Sequence, residues 1–194
     1  MFSLFSGFWQ LLFDRPSLHV LIIGLDHAGK TTILENIKAR YAITPGLPPD
    51  RIPPTVGMNL AKIYLKGSKV IFWDLGGQKK LRSMWERYYT EANAVIFVVD
   101  SADVGRLEEA KISFDSVCDH GGLRNVPVIT IANKQDLPGA LTPGDLAMNF
   151  YVVQDAADRT RVFAVNAISG QGIEECILEV VSEALIHARS RTSS

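Results

Sequence analysis

With 194 residues, 47% of them hydrophobic, the chain has the size of one domain and is apolar enough for a true core. Its 20 Lys plus Arg against 21 Asp plus Glu leave a net charge of −1, without the positive excess of a nucleic-acid-binding protein. Cys118 and Cys176 stand at no metal or redox spacing and His19, His27, His120 and His187 form no ligand pattern, so free cysteines in a reducing compartment are the simpler reading.

The chain opens "MFSLFSGFWQLLFDRP", with nine apolar residues in the first thirteen. No basic residue precedes Arg15 and no small-residue cleavage site follows, so this is not a secretory signal. The run stops at Asp14, short of the about 20 residues that span a bilayer. Phe2 stands where myristoylation needs glycine. Wound as a helix, Met1, Leu4, Phe5, Phe8, Leu11 and Leu12 share one arc, with Phe2, Trp9 and Phe13 beside it. Ser3, Ser6, Gly7, Gln10 and Asp14 take the other side, and Pro16 ends the pattern. Residues 1–16 are thus read as an amphipathic helix, lying on a membrane surface or in a groove of its own protein; the plain alternative is an N-terminal core helix.

From residue 17 to 194 strand and helix patterns alternate. "LHVLIIG" reads as a buried strand and "GKTTILENIKARY" as a helix. "TPGLPPDRIPPTVG", with five prolines in fourteen residues, is loop. "MNLAKIYL", "KGS" and "KVIFWD" form a hairpin. "NAVIFVVD", "VPVITIANK" and "RVFAVNA" are further strands. "GRLEEAKISFDSVCDH" and "IEECILEVVSEALIHARS" are helices, the second with Ile173, Cys176, Ile177, Val180, Val181, Ala184 and Leu185 on one face. The pattern predicts an α/β domain: a mainly parallel six-stranded sheet with one antiparallel edge strand and helices on both faces.

Three motifs carry chemistry. "GLDHAGKTT", Gly24 to Thr32, matches the P-loop and lies between a strand and a helix, as its mechanism requires. The backbone N–H groups of Asp26, His27, Ala28, Gly29, Lys30, Thr31 and Thr32 would cradle phosphates. Lys30 would reach the outer phosphates and Thr31 would offer its hydroxyl to Mg²⁺. In "WDLGGQ", Asp74 can hold Mg²⁺ through water, Gly77 can bring its N–H to a γ-phosphate, and Gln78 can orient the attacking water as in P-loop GTPases. In "NKQD", Asp136 can accept from guanine N1 and N2, a donor pair adenine lacks. The Lys134 stem can lie over the base, Asn133 can brace the loop, and Ala167 in "NAISG" can donate its N–H to guanine O6. A small-molecule P-loop kinase would need an acceptor site and usually an arginine-rich lid, and would leave "NKQD" unexplained. A GTP-binding module that no longer hydrolyses is opposed by Gln78.

In these motifs and in "PTVG" the chain resembles the Ras-like small GTPases, and within them the Arf family, along essentially its whole length. The resemblance implies a GTP/GDP-gated switch with slow intrinsic hydrolysis. Its partners would be an exchange factor, a GTPase-activating protein and trafficking effectors. By the same resemblance Thr55 ligates Mg²⁺ only when the γ-phosphate is present. The first helix would leave its groove for the bilayer when the hairpin Met58 to Trp73 slides by two residues. An even slip keeps the same side chains inward. The chain departs from the Arf pattern at Phe2, in a longer segment between Thr32 and Thr55, and at His27, read as a tolerated substitution where many members have Asn. The first two departures resemble the ARF-related protein subfamily, which implies an acetylated N-terminus and reversible residence on trans-Golgi membrane.

The helix alone would anchor weakly. Six or more apolar side chains at ~1.5–3 kcal/mol each, halved by partial burial, give about 5–8 kcal/mol, comparable to one myristoyl chain, which binds reversibly. An integral membrane receptor could supply the second signal. Arg51, four residues before Thr55, is read as a solvated loop residue in preference to an arginine finger in cis.

Overall fold

The structure is a computed structural model and describes residues 17–42, 46–55, 57–150 and 161–192. The amphipathic segment 1–16, with Met1, Phe2, Leu4, Phe5, Phe8, Trp9 and Leu12, lies outside the described residues.

Six strands form one sheet: β1 Ser17–Ile23, β2 Met58–Leu65, β3 Ser68–Leu75, β4 Ala94–Asp100, β5 Val128–Asn133 and β6 Val162–Ala164, in the order β2-β3-β1-β4-β5-β6. All pairs are parallel except β2 with β3, the expected antiparallel edge. That hairpin turns on Lys66 and Gly67, both at positive φ (48° and 74°), the backbone of a two-residue turn that matches strand twist.

The helices are α1 Lys30–Tyr41, α2 Glu86–Tyr89, α3 Leu107–Cys118, α4 Pro143–Phe150 and α5 Ile173–Thr192. Period-two alternation in β1 decides which covers which face. Leu18, Val20 and Ile22 point into a core shared with Ile33, Leu34 and Ile37 of α1 and with Ile173, Cys176, Ile177, Val180, Val181 and Ala184 of α5. Leu21 and Ile23 point the other way, into a core with Phe114 of α3, Phe150 of α4, Trp85 and Tyr89. Leu185, expected on the buried face of α5, is only partly buried at the margin of the first core.

The α4 helix escaped the sequence reading. Its start is a capping box: the Thr142 hydroxyl accepts from Asp145 N–H at 3.2 Å, and the Asp145 carboxylate accepts from Thr142 N–H at 3.0 Å. The signal was therefore present in "TPGD", but Pro143 and Gly144 disguised it.

In a parallel sheet the strands deliver their C-terminal ends to one edge, and ligands of open α/β sheets bind there. The loops after β1, β3, β5 and β6 meet on that edge.

Candidate nucleotide site

A cavity of about 550 Å³ opens at this edge. Among its walls are Asp26, His27, Gly29, Lys30, Thr31, Thr32, Thr55, Gly77, Gln78, Asn133, Lys134, Asp136 and Ala167. Segments more than a hundred residues apart in sequence thus share one site. Of the nucleotide residues named from sequence, Gly24 and Ala28 do not line it. Gly24 sits against the Val98 backbone at the end of β1, while Ala28 is buried and its carbonyl accepts from Asn133 Nδ2 at 2.8 Å. Pro49, Ile52, Pro53, Pro54, Leu137 and Ile168 also line the cavity and had no role in the sequence reading. The proline run before Thr55 was the available clue. Arg51 is exposed and is not among the lining residues, in keeping with a solvated loop position.

At the base end, Asn133 is 1% exposed. Its side chain ties the P-loop to the loop after β6: Nδ2 donates to Ala28, and Oδ1 accepts from Ala167 N–H at 3.0 Å. The Ala167 N–H is engaged by Asn133, and Ala167 lines the cavity at this end. Asn36 of α1 adds a second tie, donating to the Ala167 carbonyl at 2.5 Å. Lys134 holds φ of 65° and places its ammonium 2.6 Å from Asp100 Oδ2, which leaves the stem along the cavity wall. Asp136 stands exposed at that wall.

At the phosphate end, Lys30 is 5% exposed and donates to the Leu25 carbonyl at 2.6 Å. Burial pushes its ammonium down to about 8, against the pull of Asp74 and Asp26 that favours the charge. His27 takes the left-handed φ of 61° that a P-loop turn demands, a region histidine enters more readily than most residues. Its ring is 77% exposed, 3.7 Å from Asp26.

Three oxygens converge next to Lys30. The Thr31 hydroxyl donates to Asp74 Oδ2 at 2.6 Å, and Thr55 Oγ1 lies 2.7 Å from Thr31 Oγ1 and 3.3 Å from the same carboxylate oxygen. Asp74 is fully buried, and burial pushes its carboxyl up. Its Oδ1 has no hydrogen-bond partner among the described residues. A hard divalent cation with oxygen ligands fits this set: the donors are all oxygen, one is anionic, and an orphaned carboxylate oxygen adjoins them.

Gly77 closes the phosphate end. A Cβ there would stand 2.4 Å from Asp26 N, so only glycine lets this backbone meet the P-loop. Its carbonyl accepts from Arg82 Nε at 2.8 Å, and Arg82 continues to Glu109 at 2.6 Å. Arg106 bonds Asp26 at 2.7 Å and Glu109 at 2.9 Å. Burial raises the Asp26 carboxyl, but bonding to Arg106 outweighs it and the net shift is downward. Trp85 Nε1 donates to the Gly76 carbonyl at 3.0 Å. Side chains from α3 and the segment after Gln78 thus lock the "GGQ" backbone against the P-loop. Sequence reasoning missed this lock, because its members are up to 80 residues apart.

A P-loop leading into α1, an Asp-x-x-Gly turn at the end of β3 and a cavity-lining Asn-Lys-x-Asp at the end of β5 define a Ras-like GTPase domain. The ADP-ribosylation factor family model matches residues 5–184. ADP-ribosylation factor-related protein 1 of Homo sapiens is 38% identical over 180 residues, which cover 91% of this chain and 90% of that protein. ADP-ribosylation factor-like protein 3 of Saccharomyces cerevisiae is 37% identical over 181 residues, again 91% and 90% of the two chains. Among solved structures, the Arl6 BBS3 small GTPase of Trypanosoma brucei with bound nucleotide analogue GppNp superposes with a TM-score of 0.76 at 33% identity, covering 89% of this chain and 99% of that one. The chain belongs to the Arf family of small GTPases: it is a GTP-binding switch protein and a GTP hydrolase.

Proposed function

We propose that this GTPase is a nucleotide-gated recruitment switch on a membrane, with trans-Golgi as the membrane and vesicle or protein trafficking as the output. One observation carries the reading: Thr55 stands within hydrogen-bond reach of both Thr31 and Asp74. A threonine on a proline-rich loop has no structural need to meet a P-loop threonine and a buried carboxylate. It has a functional one, because a cation held there can report the γ-phosphate.

Thr31 and Thr55 would ligate Mg²⁺ directly and Asp74 through water; the ion would neutralise charge on the phosphate oxygens. Lys30 binds the outer phosphates, Gly77 presents its N–H to the γ-phosphate, and Gln78 orients the attacking water. Asp136 selects guanine, with Lys134 along the base plane. Among the described residues no arginine lines the cavity, and the nearby Arg82 and Arg106 are engaged by Glu109. Intrinsic hydrolysis is therefore slow, and a GTPase-activating protein supplies the missing charge. Beside Thr55, β2 exposes Met58, Leu60 and Tyr64, an apolar strip whose position depends on switch state and which suits an effector.

Residues 1–16 supply the membrane contact, with N-terminal acetylation removing a charge that resists burial and an integral membrane receptor adding affinity. Liposome flotation of the full chain, loaded with GDP or with a non-hydrolysable GTP analogue, tests the gate. Flotation in the GTP form only, strengthened by acetylation, is expected. Equal flotation in both states overturns a nucleotide-gated lipid anchor.

A further inference from the structure

Glu35 was not singled out by its sequence. It lies on α1, one turn beyond Thr31, and is 3% exposed. A buried carboxylate is costly unless donors surround it. Here there are three: Lys38 Nζ at 2.7 Å and Asn59 Nδ2 at 3.4 Å on Oε1, and the Leu47 N–H at 2.7 Å on Oε2. Lys38 is the counter-ion. The other two donors flank Thr55 in the chain, Leu47 upstream and Asn59 downstream.

The backbone gives independent support. Gly46 enters so close to α1 that a Cβ on it would fall 2.1 Å from the Glu35 carbonyl oxygen. The loop is thus seated on this one residue by its backbone and by its side chain. Asn59 in turn faces Asp74 across the β2–β3 ladder.

We propose that Glu35 is a positioning residue for Thr55: its carboxylate fastens both ends of the 47–59 segment to α1 and so holds the threonine beside Thr31 and Asp74. The inference rests on the reading of Thr55 as the cation-contacting threonine of the GTP state. It extends that reading by naming what holds the loop there. Sliding the hairpin by two residues would carry Asn59 about 6.6 Å along the strand and out of reach of Glu35. With Thr55 beside Thr31 and Asp74, the register seen here is read as the one reached in the GTP state. A hairpin two residues away from it, as in the GDP state, lacks the Asn59 contact, so the latch favours GTP over GDP.

The test compares wild type with Glu35→Gln, in which an amide NH₂ must confront either Leu47 N–H or the Lys38 and Asn59 donors. Equilibrium affinities for GDP and for a non-hydrolysable GTP analogue are measured on the full chain, with saturating Mg²⁺ and in EDTA. One charged hydrogen bond lost should weaken the analogue about tenfold in Mg²⁺, leaving GDP unchanged and the EDTA values alike. Gly46→Ala, whose methyl would collide with the Glu35 carbonyl and push the loop off α1, should shift the analogue in the same direction and carries the test if Glu35→Gln does not fold. An equal loss for both nucleotides, or an unchanged analogue affinity in both variants, overturns the latch. If wild type itself gains nothing from Mg²⁺ with the analogue relative to GDP, the reading of Thr55 fails first and the latch with it.

Discussion

The two ends of the nucleotide cavity are built differently. The base end hangs on β5, whose last residue, Asn133, is buried and joined by its side chain to Ala28 and Ala167. Its partners are backbone groups in the loops that follow β1 and β6. The phosphate end combines the equally fixed P-loop with two outside segments, one bearing Thr55 and the other Gly77 and Gln78. Those segments are held by side chains: Glu35 on one, Arg82 and Trp85 on the other. The contrast predicts a base end that selects without responding and a phosphate end that responds, because only a few side-chain hydrogen bonds hold its outer segments.

The largest expected effect falls at the base end. Asp136→Asn should weaken GDP and GTP equally, by about 10²–10³-fold, because the amide turns a donor toward one guanine N–H and offers the other only a neutral acceptor. Xanthine nucleotides should gain affinity in the same competition assay. Unequal effects on GDP and GTP would break the contrast, since they would show that the base end also senses state.

A smaller and one-sided effect is expected at the phosphate end. Arg82→Ala frees the Gly77 carbonyl and leaves Glu109 to Arg106 alone. Single-turnover hydrolysis should slow about tenfold as Gln78 loses its placement, with GDP affinity unchanged. A matching loss of GDP affinity would mean that the lock serves the P-loop in general.

The smallest effect concerns acid. Hydrogen bonds from Arg106 and then Arg82 hold the Glu109 carboxyl down at about 2, against an ordinary 4.5. The folded state therefore binds fewer protons than the unfolded one. The stabilisation is complete above pH 4.5 and is lost as pH falls toward 2. Glu109 is 39% exposed, so solvent screening keeps the contribution small. In thermal melts, Glu109→Gln should trail wild type at neutral pH, and the gap should close on acidification through that window. A gap independent of pH would show that Glu109 acts through packing instead.

Much of this was legible along the chain. Apolar runs between turn residues gave the four central strands, because a strand buried on both faces has little choice of side chain, and the edge strands β2 and β6 showed as shorter apolar stretches beside turn residues. The "KGS" turn marked the antiparallel edge. The motifs named most of the cavity wall, since phosphate and guanine chemistry demand particular residues at loop positions just after strands. What escaped was α4, whose capping residues sit in a Pro-Gly context, and every contact made by long-range pairing. Asp26 with Arg106, Lys134 with Asp100 and Glu35 with Asn59 are ordinary charged or polar residues in sequence, and nothing local says whom each will meet.

Fold class, family and most of the residues that line the cavity follow from the order of residues, because periodicity and motif spacing are local properties of a chain. Packing in three dimensions is what gives the Ala167 N–H to Asn133, closes Thr55 on Thr31 and Asp74, and lets Glu35 reach both sides of Thr55. Those outcomes depend on how loops settle across a sheet edge. A shift of one or two ångströms there makes or breaks a hydrogen bond, and no one-dimensional pattern fixes distance that finely.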